Sequence, residues 1–165
     1  LNIVVSIIVP VKNGLPYTRA LVKTVRATNP EAHVEWVIVD SGSTDGTLEW
    51  AEAVGARLVH FRSDPFNYCA AVNAGAEAAA GDLWIIANND IEFRSTLDLH
   101  RVERAFREWP ILAVLCPGRA EGEAELEFRF GGLNGACWVV RPDAFRAWGG
   151  MPEQMSGYGY DEAFT

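Results

Sequence analysis

Lysine is nearly absent from this chain: Lys12 and Lys23 stand against twelve arginines, a bias of usage without chemistry of its own. Bases are also outnumbered by acids, 14 to 22, which leaves a net charge of −8 and a pI near 4.8. A protein that coats nucleic acid needs a basic face for the phosphates, so that class is excluded. A single nucleotide needs only a local site and is not. Cysteine is scarce, and Cys69, Cys116 and Cys137 fit no Cys-x-x-Cys or Cys/His ligand spacing. That rules out a disulfide scaffold and favours buried thiols in a reducing compartment. No apolar run approaches the roughly 18–20 residues of a membrane span. The opening residues 1–11 are apolar, but they lack the basic leader and small-residue cleavage site of a signal peptide. Low-complexity tracts and internal repeats are missing too.

What is present is 165 residues, 49% of them hydrophobic and 22% charged. That suits one soluble globular domain with a full core. Ile3 to Val9 is a β-branched run ended by Pro10, the pattern of a strand buried on both faces. Leu15 to Thr28 reads as a helix with Pro16 in its first turn. Val34 to Val39 is a second buried strand, Thr47 to Val54 a helix ended by Gly55, and Arg57 to Phe61 a short strand. Asn67 to Ala80 reads as an alanine-rich helix closed by Gly81, and Leu83 to Ala87 as a fourth strand. Strands alternating with helices predict an α/β fold with a parallel sheet. Beyond it come a helix from about Leu97 to Glu108, a strand at Ala113–Cys116, an acidic stretch at Glu121–Glu127, and mixed or antiparallel strand character over Phe128–Val140. The expected organisation is one domain over 1–165, with one half at 1–92 and a second at 93–165.

Ligands of open α/β sheets bind outside the carboxyl ends of the strands. Two polar clusters fall there. Asp40 opens a Ser/Gly/Asp turn after the second strand, where a carboxylate either caps the next helix or accepts bonds from a base edge or ribose hydroxyl. Asp45 and Thr47 are explained by capping. Asn88-Asn89-Asp90 follows the fourth strand; one carboxylate with amide oxygens suits a hard divalent cation shared with phosphate and water, or else an ordinary Asn/Asp turn. Further on, Asp161 and Glu162 follow a glycine-rich aromatic loop, either as a general base or as acids at a helix start. His33, His60 and His100 share no ligand spacing and read as surface or packing residues. Trp138 lies in a strand of the second half, where it could face the cleft.

Taken in order, residues 5–13 (VSIIVPVKN), 37–47 (VIVDSGSTDGT), Asn73, Gly75, Ala79 and Gly81, Asn88-Asn89-Asp90, residues 134–141 (NGACWVVR) and Gly149-Gly150 resemble the family 2 glycosyltransferases, with rhamnosyltransferase-like members nearest in pattern. The resemblance implies a GT-A fold and an inverting transfer from a UDP- or dTDP-sugar, with 1–92 as the nucleotide-sugar-binding half and 93–165 as the acceptor-side half. The acceptor would be a carbohydrate, a lipid-linked group or a protein, in polysaccharide or cell-envelope synthesis. It further implies that Pro10, Val11 and Asn13 line the base pocket and that Asp40 binds the nucleoside. Asn73 and Asn89 would contact the nucleotide sugar, with Asp90 holding Mn²⁺ or Mg²⁺. Asp161 would be the base, Glu162 its rival, and Trp138 a surface for sugar stacking.

The chain departs from the family pattern at Ser41, where a second acid is frequent, at Asn88, where the first acid of Asp-X-Asp stands, and at Val72, where a basic residue is common. The changes at Ser41 and Val72, with Tyr160 at the first position of the family's Glu-Asp pair, sustain an alternative: a nucleotide-binding or scaffold domain of the same fold with weakened turnover. A nucleotidyltransferase fits less well, because Lys12-Asn13-Gly14 is a poor glycine-rich phosphate loop. The expected location is cytoplasmic, with peripheral contact at the inner membrane face left open. Because the acceptor-side half stops four residues after Asp161, it is expected to continue past Thr165.

Overall fold

The strand β1 (Val4–Val11) shows why its sequence has no polar face. Val5, Ile7, Val9 and Val11 pack into one core layer, while Ile8 packs into the layer on the opposite face of the sheet. β2 (His33–Asp40) divides in the same way, with Trp36 and Ile38 on one side and Val37 and Val39 on the other. Sheets covered on both faces produce these unbroken apolar runs.

The structure is a computed structural model that describes residues 3–108, 114–115 and 137–154. After β1 come α1 (Leu15–Thr28), β2, α2 (Thr47–Ala53), β3 (Arg57–His60), α3 (Tyr68–Ala78) and β4 (Leu83–Ala87). They are followed by α4 (Leu99–Glu108), β5 (Val114–Leu115), β6 (Cys137–Val140) and α5 (Pro142–Ala147). The sheet order is β3-β2-β1-β4-β6-β5. The first four strands are parallel, and β6 runs antiparallel to both β4 and β5. Helices α1, α2 and α4 contribute to one core layer through Leu21, Val22, Val25, Ala51, Val102 and Ala105. The opposite layer takes α3 and α5 through Cys69, Ala71, Val72, Ala76 and Phe145.

The sequence reading had no counterpart of α5, and two boundaries differ from it for a steric or hydrogen-bonding reason. Pro10 lies inside β1, because β4 pairs with β1 only as far as Ile8 and leaves one flank of Pro10 without a ladder. Gly81 does not end α3, whose C-cap is Ala79. A Cβ at Gly81 would lie 2.6–2.7 Å from Ser6 Oγ, Ser6 N and Val4 O, so glycine is required there by the approach of β1. The acidic stretch 121–127, residues 128–136 and Cys116 lie outside the described residues. Cys69 is buried and Cys137 half-buried. His33, His60 and His100 are exposed.

Candidate functional site

Because β4 lies on the opposite side of β1 from β2 and β3, the strand order reverses direction between β1 and β4. Crevices open at the carboxyl ends of the strands at such a point. The loops after β1, β2 and β4 meet there. Asn13 adopts a left-handed backbone (φ +52°), which turns the chain out of β1 and into α1. Its Oδ1 accepts the Thr44 N–H at 2.8 Å, and its own N–H donates to Ser43 Oγ at 2.9 Å. One carboxylate, Asp45, accepts from the first N–H of two helices, Leu15 of α1 at 2.9 Å and Thr47 of α2 at 3.1 Å. The Thr47 hydroxyl, and after it the Leu15 N–H, hold Asp45 below the usual aspartate range. Asn89 closes over the same turn: a Cβ at Gly14 would fall 2.0 Å from Asn89 Nδ2.

Asp40 is buried at the end of β2, and its carboxylate is engaged by its own loop. Oδ2 accepts the Gly42 N–H at 2.9 Å and the Ser43 N–H at 3.1 Å. The Asp40 carbonyl accepts the Phe61 N–H, and the Val11 carbonyl accepts the Ser41 N–H, both at 2.9 Å. Pro10 and Val11 are themselves buried. These bonds hold the carboxyl ends of β1, β2 and β3 in line.

Above them lies a cleft of about 680 Å³ lined by Lys12, Ser41, Gly42, Arg62, Ser63, Asp64 and Phe66. Two cations reach it from different loops, and Phe66 adds an apolar wall that is 44% exposed. The Ser41 hydroxyl oxygen is buried there with no hydrogen-bond partner among the described residues. Sequence reading missed Lys12 and Arg62 as site residues. The signal was available, since Lys12 directly follows β1 and Arg62 follows β3 at the same sheet edge.

At the end of β4, Asn88 Oδ1 accepts the Tyr68 hydroxyl at 3.0 Å, and Asp90 is exposed. Among the described residues no group of three or more His, Cys, Asp or Glu side chains gathers as a metal cage. One exposed carboxylate, next in sequence to two asparagines, fits a hard cation that completes its shell with substrate phosphate and water.

Asn73 and Trp138 are placed differently from the sequence reading. Asn73 Nδ2 donates to the Met151 carbonyl and to Glu153 Oε1, each at 2.9 Å, and the Met151 N–H donates to Asn73 Oδ1 at 2.7 Å. Asn67 Oδ1 caps α3 by accepting the Ala70 N–H at 3.0 Å, while its Nδ2 donates to the Glu153 carbonyl at 2.7 Å. These bonds border a second cleft of about 510 Å³ formed by Asn73 and residues 148–154. Trp138 is 2% exposed, in the core layer that also holds Trp84, Phe145 and Met151. Sugar stacking needs an open ring face, and a side chain this deep in the core offers none. Val72 is fully buried and takes no part in the cleft. Asp161 and Glu162 lie outside the described residues. Among the described residues no helix is long and apolar enough to cross a membrane.

The chain is 41% identical over 91 residues to the O-antigen biosynthesis protein RfbC of Myxococcus xanthus, covering 53% of this chain and 7% of that protein. It is 34% identical over 93 residues to an uncharacterised protein of Sinorhizobium fredii, 53% of this chain and 10% of that one. It therefore spans a tenth or less of the length of these relatives. Its structure is similar to a mannosyltransferase from Pyrobaculum calidifontis in complex with GDP-Man and Mn²⁺ (TM-score 0.70, 20% identity, 92% of this chain, 48% of that one). It is also similar to S. aureus TarS (TM-score 0.73, 19% identity, 98% of this chain, 32% of that one). At such identities the likeness shows the fold, which is the expected GT-A type. The model of glycosyl transferase family 2 matches residues 6–147, most of the length described above, and the chain belongs to that family.

Proposed function

We propose that this domain transfers a sugar from a UDP- or dTDP-sugar to an acceptor hydroxyl with inversion at the anomeric carbon. The observation that carries the reading is the carboxyl-edge cleft: Lys12 and Arg62 converge on it in a chain whose family is glycosyl transferase 2. Two cations from separate loops suit a diphosphate, and Phe66 with the Ser41 hydroxyl suits a nucleoside. Asn13, Asp40 and the backbone at Pro10 and Val11 hold the walls of that pocket in register. Asn89, packed over the β1 turn, is the residue we assign to the ribose or sugar.

Asp90 is the residue that would hold Mn²⁺ or Mg²⁺. A divalent ion so held neutralises charge on the diphosphate. Solved structures similar to this chain are described with Mn²⁺, which supports a metal here. In the displacement the acceptor oxygen bonds to the anomeric carbon as the bond to the diphosphate oxygen breaks. The leaving nucleoside diphosphate keeps that electron pair, and the acceptor proton passes to Asp161, with Glu162 as the alternative base. The O-antigen relative supports a polysaccharide acceptor in the cell envelope.

Calorimetry of the full-length protein with UDP, dTDP and GDP, with and without Mn²⁺, tests the donor half of the reading. Release of nucleoside diphosphate from a panel of UDP-, dTDP- and GDP-sugars tests the transfer. UDP or dTDP should bind more tightly than GDP, and tighter with Mn²⁺. Binding of no nucleotide under any condition would defeat the proposal, whereas binding without release would leave the domain a nucleotide-binding scaffold.

A further inference from the structure

The loop after α5 is fastened to α3 by amide groups, and the fastening is specific. An Asn amide set against the N–H and C=O of one residue reproduces a rung of a β-ladder, so it defines the direction of the partner chain as well as its distance. Asn73 does this to Met151, and its second N–H takes the Glu153 carboxylate. The Met151 N–H decides which amide atom is the oxygen, because it must meet an acceptor. Gly149 and Gly150 both have φ +82°, and a Cβ at Gly150 would lie 2.6 Å from Asn73 Oδ1. Only glycine permits that approach. Asn67 adds a second attachment at the Glu153 carbonyl. The bonds join residues 78 to 86 positions apart, linking the nucleotide-binding half to the acceptor-side half.

With both N–H groups and its oxygen committed in this way, Asn73 is poorly placed to contact a nucleotide sugar. We infer that Asn73 is a positioning residue: with Asn67 it anchors residues 150–153 on α3, in the stretch that precedes Asp161 and Glu162 in sequence. The inference rests on the transferase reading for its catalytic consequence, and on the geometry alone for the anchoring.

The test uses full-length wild type, Asn73→Asp, Glu153→Gln and the double variant. In N73D a carboxylate oxygen replaces Nδ2 and faces both the Met151 carbonyl and the Glu153 carboxylate. E153Q in that background restores a donor opposite it, and E153Q alone keeps an acceptor for Asn73. Amide hydrogen exchange over 149–154 reads the anchoring. Affinity for UDP with Mn²⁺, and kcat and KM for nucleoside diphosphate release from the sugar donor chosen in the panel, read the consequence. N73D should speed exchange over 149–154 and lower kcat about tenfold, while UDP affinity and donor KM stay unchanged; the double variant should recover part of both losses, the mark of a direct pair, the remainder reflecting the Met151 carbonyl that still lacks its donor. A parallel fall in UDP affinity would return Asn73 to the nucleotide site and overturn the inference. Faster exchange with an unmoved kcat would overturn the positioning role, and no recovery in the double variant would overturn the pairing with Glu153. If wild type releases no diphosphate from any donor, the transferase reading fails by itself, and the exchange measurement still decides the anchoring.

Discussion

Asn13 bridges the ends of two strands: its Oδ1 accepts the Thr44 N–H at 2.8 Å from a backbone held at φ +52°. Two separable contributions meet in that residue, a left-handed conformation and a hydrogen bond between the β1 and β2 loops. Asn13→Gly should lose the bond alone, about 1 kcal/mol. Asn13→Ala should lose the bond and add left-handed strain, for a total of about 2–3 kcal/mol. Urea unfolding of the two variants checks this, and equal midpoints would show that the backbone conformation contributes nothing.

Lys12 and Arg62 should act on the phosphates of a bound nucleotide. Lys12→Ala and Arg62→Ala are each expected to weaken UDP about tenfold, the scale of one charge-assisted hydrogen bond, and to leave uridine nearly unaffected. Calorimetry with both ligands at low and moderate salt measures it. An equal loss for uridine would move these residues from the phosphates to the base.

Asp90 is exposed, so replacing it should leave the fold intact. Asp90→Ala should bind UDP equally well with Mn²⁺ or with EDTA, whereas wild type should favour Mn²⁺. A variant that still gains affinity from Mn²⁺ would take Asp90 out of the metal site.

At the opposite edge of the sheet, Glu35 joins three elements. Its Oε2 accepts the Ser6 hydroxyl at 2.5 Å and the Ala80 N–H at 2.9 Å, and its Oε1 accepts Arg57 Nε at 2.9 Å. Burial pushes this carboxyl up, but the bonds from Ser6, Ala80 and Arg57 outweigh it and hold the group below the usual glutamate range. A depressed folded pKa gives stability that is whole above the unfolded glutamate value and is lost as pH falls through the folded one. Glu35→Gln should therefore cost about 1–2 kcal/mol at pH 7, and the gap to wild type should narrow as the pH drops below about 4. Denaturant unfolding at pH 7 and pH 3.5 tests this; a gap that widens in acid would refute the sign.

Gly75 lets α3 lie directly on the sheet. A Cβ there would come 2.5 Å from Ile8 Cγ2 and 2.7 Å from Val39 Cγ2. Gly75→Ala gains about 1 kcal/mol of helix propensity, yet overpacking of this kind costs about 1–3 kcal/mol. Net destabilisation by thermal unfolding is the expected result, and a raised Tm would mean that α3 can shift outward freely.

Much of the scaffold was legible in the chain. The boundaries of α1 and β4 follow from the spacing of Leu21, Val22 and Val25 and from the unbroken run Leu83–Ala87, because periodicity and β-branching act locally. The place of the candidate cleft was legible as well, since polar turns after buried strands fall at the carboxyl edge of a parallel sheet. Side chains whose partners lie far along the chain were not. The family resemblance makes Asn73 a ligand contact, and its place in a second-half strand makes Trp138 a cleft residue, when the distant partners of both are unseen.

The sequence by itself determined the α/β class and the order of strands and helices as far as α4, which rest on patterns within a few turns of chain, and the family, through the ordered set of motifs along the chain. Only the tertiary structure decided that Lys12 and Arg62 share one cleft, that Asp40 braces its own loop, that Trp138 lies in the core, and that Asn73 grips Met151 from 78 residues away. Those outcomes depend on how helices settle on the two faces of the sheet. That packing is set by steric fit and by the need to pair every buried polar group, and no local spacing encodes it.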